Sequence, residues 1–223
     1  MDNPKINHLS LCAGYGGIDL GLRAVLPDCR TIAYVEIEAF AAANLVAKVE
    51  AGELDPAPVH TDIRSFPFES FRGVVDILSG GFPCQPFSHA GKRDGVDDPR
   101  HLWPAIAEGI RACRPAVVFL ENVEGIISSK SEGYHSVLHH VLCDLEGMGY
   151  RTEAGIFSAE EVGAPHRRKR VFILGLVADT DRERLEGREQ PIEECSYQWP
   201  TRPGCPQRAD EPPRTVEPGV GGD

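Results

Sequence analysis

The first constraints on this chain come from what it does not contain. No apolar stretch approaches the roughly 20 residues that a helix needs to cross a bilayer, so a membrane span is excluded and no membrane partner is expected. The opening residues 1–10 (MDNPKINHLS) lack the charged and apolar regions of a secretory signal, which reads as an intracellular protein. Its seven cysteines (Cys12, Cys29, Cys84, Cys113, Cys143, Cys195 and Cys205) are odd in number and irregular in spacing, without a Cys-x-x-Cys pair. That pattern indicates neither a disulfide framework nor a zinc ribbon, and it suits a reducing compartment. His135, His139 and Cys143 fall at helical spacing, but no fourth ligand accompanies them, so no metal site is expected. Basic residues are also scarce: 23 Lys and Arg face 34 Asp and Glu, for a net charge of -11. Phosphate binding is driven by lysine and arginine, so the total weighs against nucleic acid. The distribution weighs the other way, because Arg167, Arg168, Lys169 and Arg170 form one dense block while the acids are spread out.

What is present describes one α/β core followed by a tail. The 41% hydrophobic content is ordinary for a globular protein, and there is no internal repeat. Ile6 to Cys12 reads as a strand that opens into Ala13-Gly14-Tyr15-Gly16-Gly17, with Ile18, Leu20, Leu22 and Val25 behind it at helical spacing. Strand, glycine turn and helix form a nucleotide-binding arrangement, in which missing side chains let a ligand approach the backbone and the helix amino end. A second strand, Thr31 to Val35, ends at Glu36, placed to accept the ribose hydroxyls of an adenosine ligand. A helix is expected over Glu38 to Val49, and a third strand over Val59 to Ile63 with Asp62 near its end.

The fourth strand, Val74 to Leu78, runs into Ser79-Gly80-Gly81-Phe82-Pro83-Cys84-Gln85-Pro86-Phe87-Ser88. Glycines there let the chain leave the sheet, which puts the Cys84 thiol past a strand's carboxyl end, where ligands bind in open α/β sheets. The polar stretch from His89 to Arg100 has the composition of a functional loop. A helix over Leu102 to Cys113, a strand over Val117 to Leu120 ending in Glu121-Asn122-Val123, and a helix over Tyr134 to Gly147 follow. Two last strands, Arg151 to Phe157 and Val171 to Val177, flank the basic block. Residues 1–178 are thus expected to form the folded domain. Residues 179–223, with seven prolines and many charges, read as a linker or disordered tail.

The five strand ends set a glycine loop, Glu36, Asp62, Cys84 and Glu121 along one sheet edge, a layout suited to a nucleoside cofactor beside a thiol and a carboxylate. Six blocks, in order, resemble the cytosine-C5 DNA methyltransferases of bacterial and phage type. They are Leu11 to Gly17, Glu36-Ile37-Glu38, Asp62-Ile63, Gly81-Phe82-Pro83-Cys84-Gln85, Glu121-Asn122-Val123 and Arg167 to Val171. The resemblance implies a Rossmann-like, S-adenosylmethionine-dependent fold: a mostly parallel sheet with helices on both faces and an antiparallel last strand. It implies that the glycine loop, Ala13, Gly14, Gly16 and Gly17, holds the methionine part of S-adenosylmethionine, Glu36 the ribose, and Asp62 with Ile63 the adenine, with Phe82 lining the site and Cys12 and Ile37 also contacting the cofactor. The family usually has phenylalanine where Cys12 stands, which weakens the contact expected there.

The same resemblance implies that Cys84 is the nucleophile, that Glu121 bonds the target base, and that Arg170, with Arg168 beside it, faces the cytosine O2. Pro83, Gln85, Ser88, Asn122 and Val123 would contact the substrate, a base flipped out of double-stranded DNA. Asp98 to Trp103 is similar to the block that follows the cysteine loop in the family, although shorter. The family's target-recognition region and a later Gly-Asn element have no counterpart after Val177. A complementing C-terminal polypeptide is therefore one implied partner, and a cognate restriction endonuclease another, in the cytoplasm of a bacterium or phage-infected cell. An RNA-directed relative and a catalytically silent cofactor- or DNA-binding subunit are the alternative readings.

Overall fold

The computed structural model describes residues 6–83, 102–129 and 133–177. They form a seven-stranded sheet with strands β1 (Ile6–Leu11), β2 (Cys29–Val35), β3 (Val59–His60), β4 (Ile77–Gly81), β5 (Val117–Val123), β6 (Tyr150–Ser158) and β7 (Lys169–Val177). Its order is β3-β2-β1-β4-β5-β7-β6. The first five strands are parallel, and β7 runs antiparallel to both β5 and β6. Order reverses beside β1, and β4 continues on its other side, so the carboxyl ends of β1, β2 and β4 converge there, as a ligand-binding α/β sheet requires.

Among the described residues four helices connect the strands: α1 (Gly17–Val25), α2 (Ala39–Glu50), α3 (Trp103–Cys113) and α4 (Val137–Gly147). Ile106 and Ile110 of α3 and Leu138, Val141, Leu142 and Leu145 of α4 share one buried cluster with Leu9, Leu11, Leu78, Val118, Leu120 and Ile173 of the sheet. Pro104 stands in the first turn of α3, where its missing N–H leaves no bond unmade. The Ser136 side chain caps α4 by accepting from the His139 N–H at 3.2 Å. A smaller cluster of Tyr34, Leu45 and Leu54 seats α2.

Helix α1 differs, because Asp19 is its buried side chain. Asp19 closes a polar network inside the sheet. Its Oδ2 accepts from Ser10 at 2.9 Å and its Oδ1 from Thr31 at 3.1 Å, while His8 bridges Thr31 at 2.9 Å and Ser79 at 2.7 Å. Burial pushes the His8 imidazole below its ordinary range, opposed by the charges of Asp19 and Asp55, so His8 sits in the sheet as a neutral linker.

Several boundaries differ from the sequence reading. Gly80 and Gly81 belong to β4 instead of ending it, because a side chain at Gly80 would stand 3.1 Å from the Leu11 carbonyl oxygen of β1. Strand β3 stops at His60, since the Asp62 side chain accepts from the Arg64 N–H at 2.9 Å and turns the chain into a 3-10 turn. With Ser136 as its cap, α4 begins after His135, which breaks the supposed His135–His139–Cys143 helical stripe. Lys169 and Arg170 lie in β7, not in the preceding loop.

Candidate active site

The glycine loop leaves β1 through three left-handed residues, Cys12 (φ 49), Gly14 (φ 56) and Gly16 (φ 74). Glycine removes the steric cost of that conformation. At Gly16 a side chain would also stand 2.8 Å from Leu54 Cδ1, whereas at Gly14 and Gly17 it would meet nothing within 4 Å. The loop therefore packs on one side and is open on the other. Glu36, buried at the end of β2, holds it in place: Oε2 accepts from the Gly14 N–H at 2.7 Å and Oε1 from the Glu38 N–H at 2.8 Å. The Glu36 N–H donates to His60 O at 2.8 Å, and Ala13 N–H to Val35 O at 3.1 Å. Each carboxylate oxygen keeps a second lone pair, so Glu36 can brace the loop and still accept from a ligand hydroxyl. Burial, with the Glu36 charge beside it, pushes the Cys12 thiol up to about 12, which leaves it protonated and unsuited to be a nucleophile.

The neighbouring positions divide by exposure. Ile37 offers its side chain to solvent, while Ile63 is inside the main core and Asp62 is half-buried. Of the two isoleucines at this edge, Ile37 is the one free to cover a planar ligand.

Glu121 and Arg170 meet across the β5–β7 pair. Glu121 lies opposite Phe172 and Val123 opposite Arg170, which puts both charged side chains on one face. Arg170 Nε stands 2.5 Å from Glu121 Oε1, with both side chains about a quarter exposed at 22% and 26%. Gly81 is the register partner of Glu121 on β4, and a side chain there would stand 3.1 Å from Glu121 Oε2. The chain thus departs toward Pro83 directly beside this ion pair.

Asn122, on the opposite face, is buried; its Nδ2 donates to Phe82 O at 2.9 Å and its Oδ1 accepts from the Val123 N–H at 2.8 Å. Its position tethers the backbone before Pro83 and does not present an amide to solvent. Phe82 is buried against Trp103, while Pro83 and Val123 are exposed. Arg168 is exposed; Arg167 pairs with Glu160 at 3.1 Å and Lys169 with Glu124 at 3.4 Å, so part of the basic block is locally neutralised. Cys84, Gln85 and Ser88 lie outside the described residues. Among the described residues, no group of three or more His, Cys, Asp or Glu side chains could hold a metal ion. No helix of the described residues is long and apolar enough to cross a membrane.

A sheet edge of this order, with a braced glycine loop and a carboxylate–arginine pair, can be compared with known proteins. The model of the C-5 cytosine-specific DNA methylases matches residues 6–204. This chain belongs to that family. The methylase chain is 34% identical over 172 residues to the Type II methyltransferase M.NgoMIV of Neisseria gonorrhoeae, covering 77% of this chain and 52% of that protein. It is 34% identical over 173 residues to M.PspPI of a Psychrobacter species, covering 77% of this chain and 39% of the relative. The methylase chain therefore spans about half the length of these curated relatives, or less. A DNMT2 of Spodoptera frugiperda shares the fold with a TM-score of 0.65 at 21% identity, over 78% of this chain and 51% of that one. The Dnmt2 methyltransferase of S. pombe does so with a TM-score of 0.60 at 22% identity, over 86% and 59%.

Two features of the site had no sequence signal strong enough to reveal them: the inward tether of Asn122 and the buried His8–Asp19 network. Polar residues alternating through strands that otherwise read as buried (His8 and Ser10, then Thr31) are the one trace of the second.

Proposed function

We propose that this chain carries the nucleophile and most of the cofactor site of an enzyme that methylates C5 of cytosine in double-stranded DNA. The observation that supports this most is the Glu121–Arg170 pair beside Gly81, three residues before Cys84, on the sheet edge that also holds the glycine loop. The loop suits S-adenosylmethionine, since Gly14 and Gly17 leave open space beside the backbone and Glu36 is fixed with acceptor capacity to spare. When bound, S-adenosylmethionine would supply an electrophilic methyl group from its sulfonium sulfur, which keeps the electrons of the broken S–C bond and leaves as the thioether S-adenosylhomocysteine.

Cytosine C5 is a weak nucleophile, and the chain's own residues must change that. The Cys84 thiolate adds to C6, and the electrons of the C5–C6 bond become available at C5. Glu121 accepts from the base's amino group and, in its protonated form, donates to N3, which orients the ring and offsets the charge that builds on it. With Nε on Glu121 and one Nη1 hydrogen on Lys169 O, the Arg170 guanidinium keeps further donors for the cytosine O2. C5 then takes the methyl group, loses its proton to a base, and the C6–S bond breaks to return the Cys84 thiolate. The ring face is inaccessible in duplex DNA, so the base must be flipped out to meet these groups.

In this reading residues 1–178 form the catalytic domain and 179–223 a linker or tail. A polypeptide supplying the part of the relatives that this chain does not span, and a restriction endonuclease of the same system, are its proposed partners. The test is transfer of radiolabelled methyl from S-adenosylmethionine to DNA or to transfer RNA by the chain, with and without that complementing polypeptide. Label in DNA that disappears in Cys84→Ser supports the proposal; label in RNA alone overturns it.

A further inference from the structure

Helix α1 closes the glycine loop, and a polar side chain holds it to the sheet. Among the described residues, no side chain of α1 belongs to either buried apolar cluster, and Leu20 and Val25 are exposed. Its first turn has no side-chain cap. What reaches inward is Asp19, two residues after Gly17 and 4% exposed. At the other end of the helix Arg23 Nη1 donates to Glu53 O at 2.9 Å on the surface.

The bonds that Asp19 receives have a fixed direction, because each hydroxyl carries one hydrogen. Thr31 places its own on Asp19 Oδ1 at 3.1 Å, so at its 2.9 Å contact with His8 it accepts from the Nδ1 hydrogen. Neutral His8 then has Nε2 as an acceptor, and Ser79 donates to it at 2.7 Å. Ser10 donates to Asp19 Oδ2 at 2.9 Å. One run of donors thus passes from Ser79 on β4 through His8 on β1 and Thr31 on β2 to Asp19 on α1, and all of these side chains are buried. The glycine loop is gripped at three points: Glu36 holds Gly14, Leu54 packs on Gly16, and Asp19 holds the helix that begins at Gly17. A leucine at position 19 would fill the same space but would offer Ser10 and Thr31 nothing to bond.

We infer that Asp19 is a positioning residue for cofactor binding: through Ser10 and Thr31 it fixes α1, and with it the Gly14–Gly17 turn, in the arrangement that receives S-adenosylmethionine. The inference rests on the reading of the glycine loop as the cofactor site. The Asp19 side chain faces the sheet, so it acts through the loop. Where the braced arrangement is only a fraction of the population, the apparent affinity falls by that fraction.

The test separates this anchor from the network's general contribution to stability. Asp19→Leu, Asp19→Asn and Ser79→Ala are made in the full chain. For each, S-adenosylmethionine affinity is measured by calorimetry, stability by denaturant titration, and exchange of the loop amides by mass spectrometry without ligand. Ser79→Ala breaks the same network at its β4 end and leaves α1 untouched. The expected result is that Asp19→Leu weakens affinity about tenfold or more and speeds exchange of the loop amides, as a braced state reduced to about a tenth of the population requires. Ser79→Ala lowers the denaturation midpoint but keeps the affinity and loop exchange of the unaltered chain. Asp19→Asn, whose Oδ1 still accepts from Thr31 while its amide donates to Ser10, stays nearest the unaltered chain. Ser10→Ala, which removes one donor to Asp19 without altering α1, carries the comparison with a loss of the same sign if Asp19→Leu does not fold. Unchanged affinity and loop exchange in Asp19→Leu, or affinity that merely follows stability in Asp19→Leu and Ser79→Ala alike, would overturn the inference. If the exchange pattern holds but the unaltered chain binds no S-adenosylmethionine, the cofactor reading of the proposed function fails and the hold of Asp19 on the loop stands.

Discussion

Glu36, proposed to hold the cofactor's ribose, also serves the fold. A ribose-binding carboxylate needs only to face the cofactor, yet this one has both oxygens on backbone N–H groups that brace the glycine loop. Glu36→Gln replaces one acceptor by a donor aimed at an N–H. It should cost about 1–3 kcal/mol of stability, the price of a buried group left unsatisfied, and weaken S-adenosylmethionine binding as well. Denaturant titration and calorimetry check the two effects separately, and lost affinity with unchanged stability would show that the brace is not made. His8 yields a pH prediction. Its folded pKa is depressed by burial from 6.5, so below that value the unfolded chain binds more protons. Stability should be complete above pH 6.5 and fall as pH drops below it toward the folded value. His139, lowered by its own burial and by His135, acts in the same direction. Denaturation midpoints at intervals below pH 7.5 should therefore show a slope that His8→Gln reduces but does not remove; an identical slope in that variant would exclude His8 as a source.

At the scale of elements, α3 packs tightly on the 3-10 turn Phe68–Phe71, where a side chain on Gly109 would stand 2.6 Å from Phe68 Cε1. Gly109→Ala should destabilise the fold by about 1–3 kcal/mol through overpacking, although alanine favours helix. A raised thermal midpoint would mean that Phe68 yields freely. The elements were legible in the sequence wherever period and composition agreed: all seven strands, all four helices and the edge carrying the glycine loop, Glu36 and Glu121 could be read from it. Their ends were less legible, even where the deciding contact was local. Gly80 looks like a strand terminator until the Leu11 carbonyl beside it is known, and Asp62 ends β3 through a bond made within its own turn. The Trp103–Asp144 bond joins residues 41 apart, and no spacing rule connects them.

At the scale of the molecule, an acidic chain is read as acting on a polyanion. The basic block resolves this only in part, since Arg167 and Lys169 face Glu160 and Glu124. Arg168 and the free donors of Arg170 are what remain for a base or phosphate. Because the chain spans about half the length of M.NgoMIV or less of other relatives, DNA affinity should depend strongly on what supplies the remainder. The measurement closest to the central claim is covalent capture on duplex DNA containing 5-fluorocytosine, with S-adenosylmethionine, by the chain alone and with a polypeptide covering the unspanned part of its relatives. Fluorine at C5 blocks the final proton loss, so the adduct persists. The account predicts an adduct that maps by mass spectrometry to the peptide containing Cys84 and is absent in Cys84→Ser. An adduct that survives that substitution, or none under either condition, would contradict it.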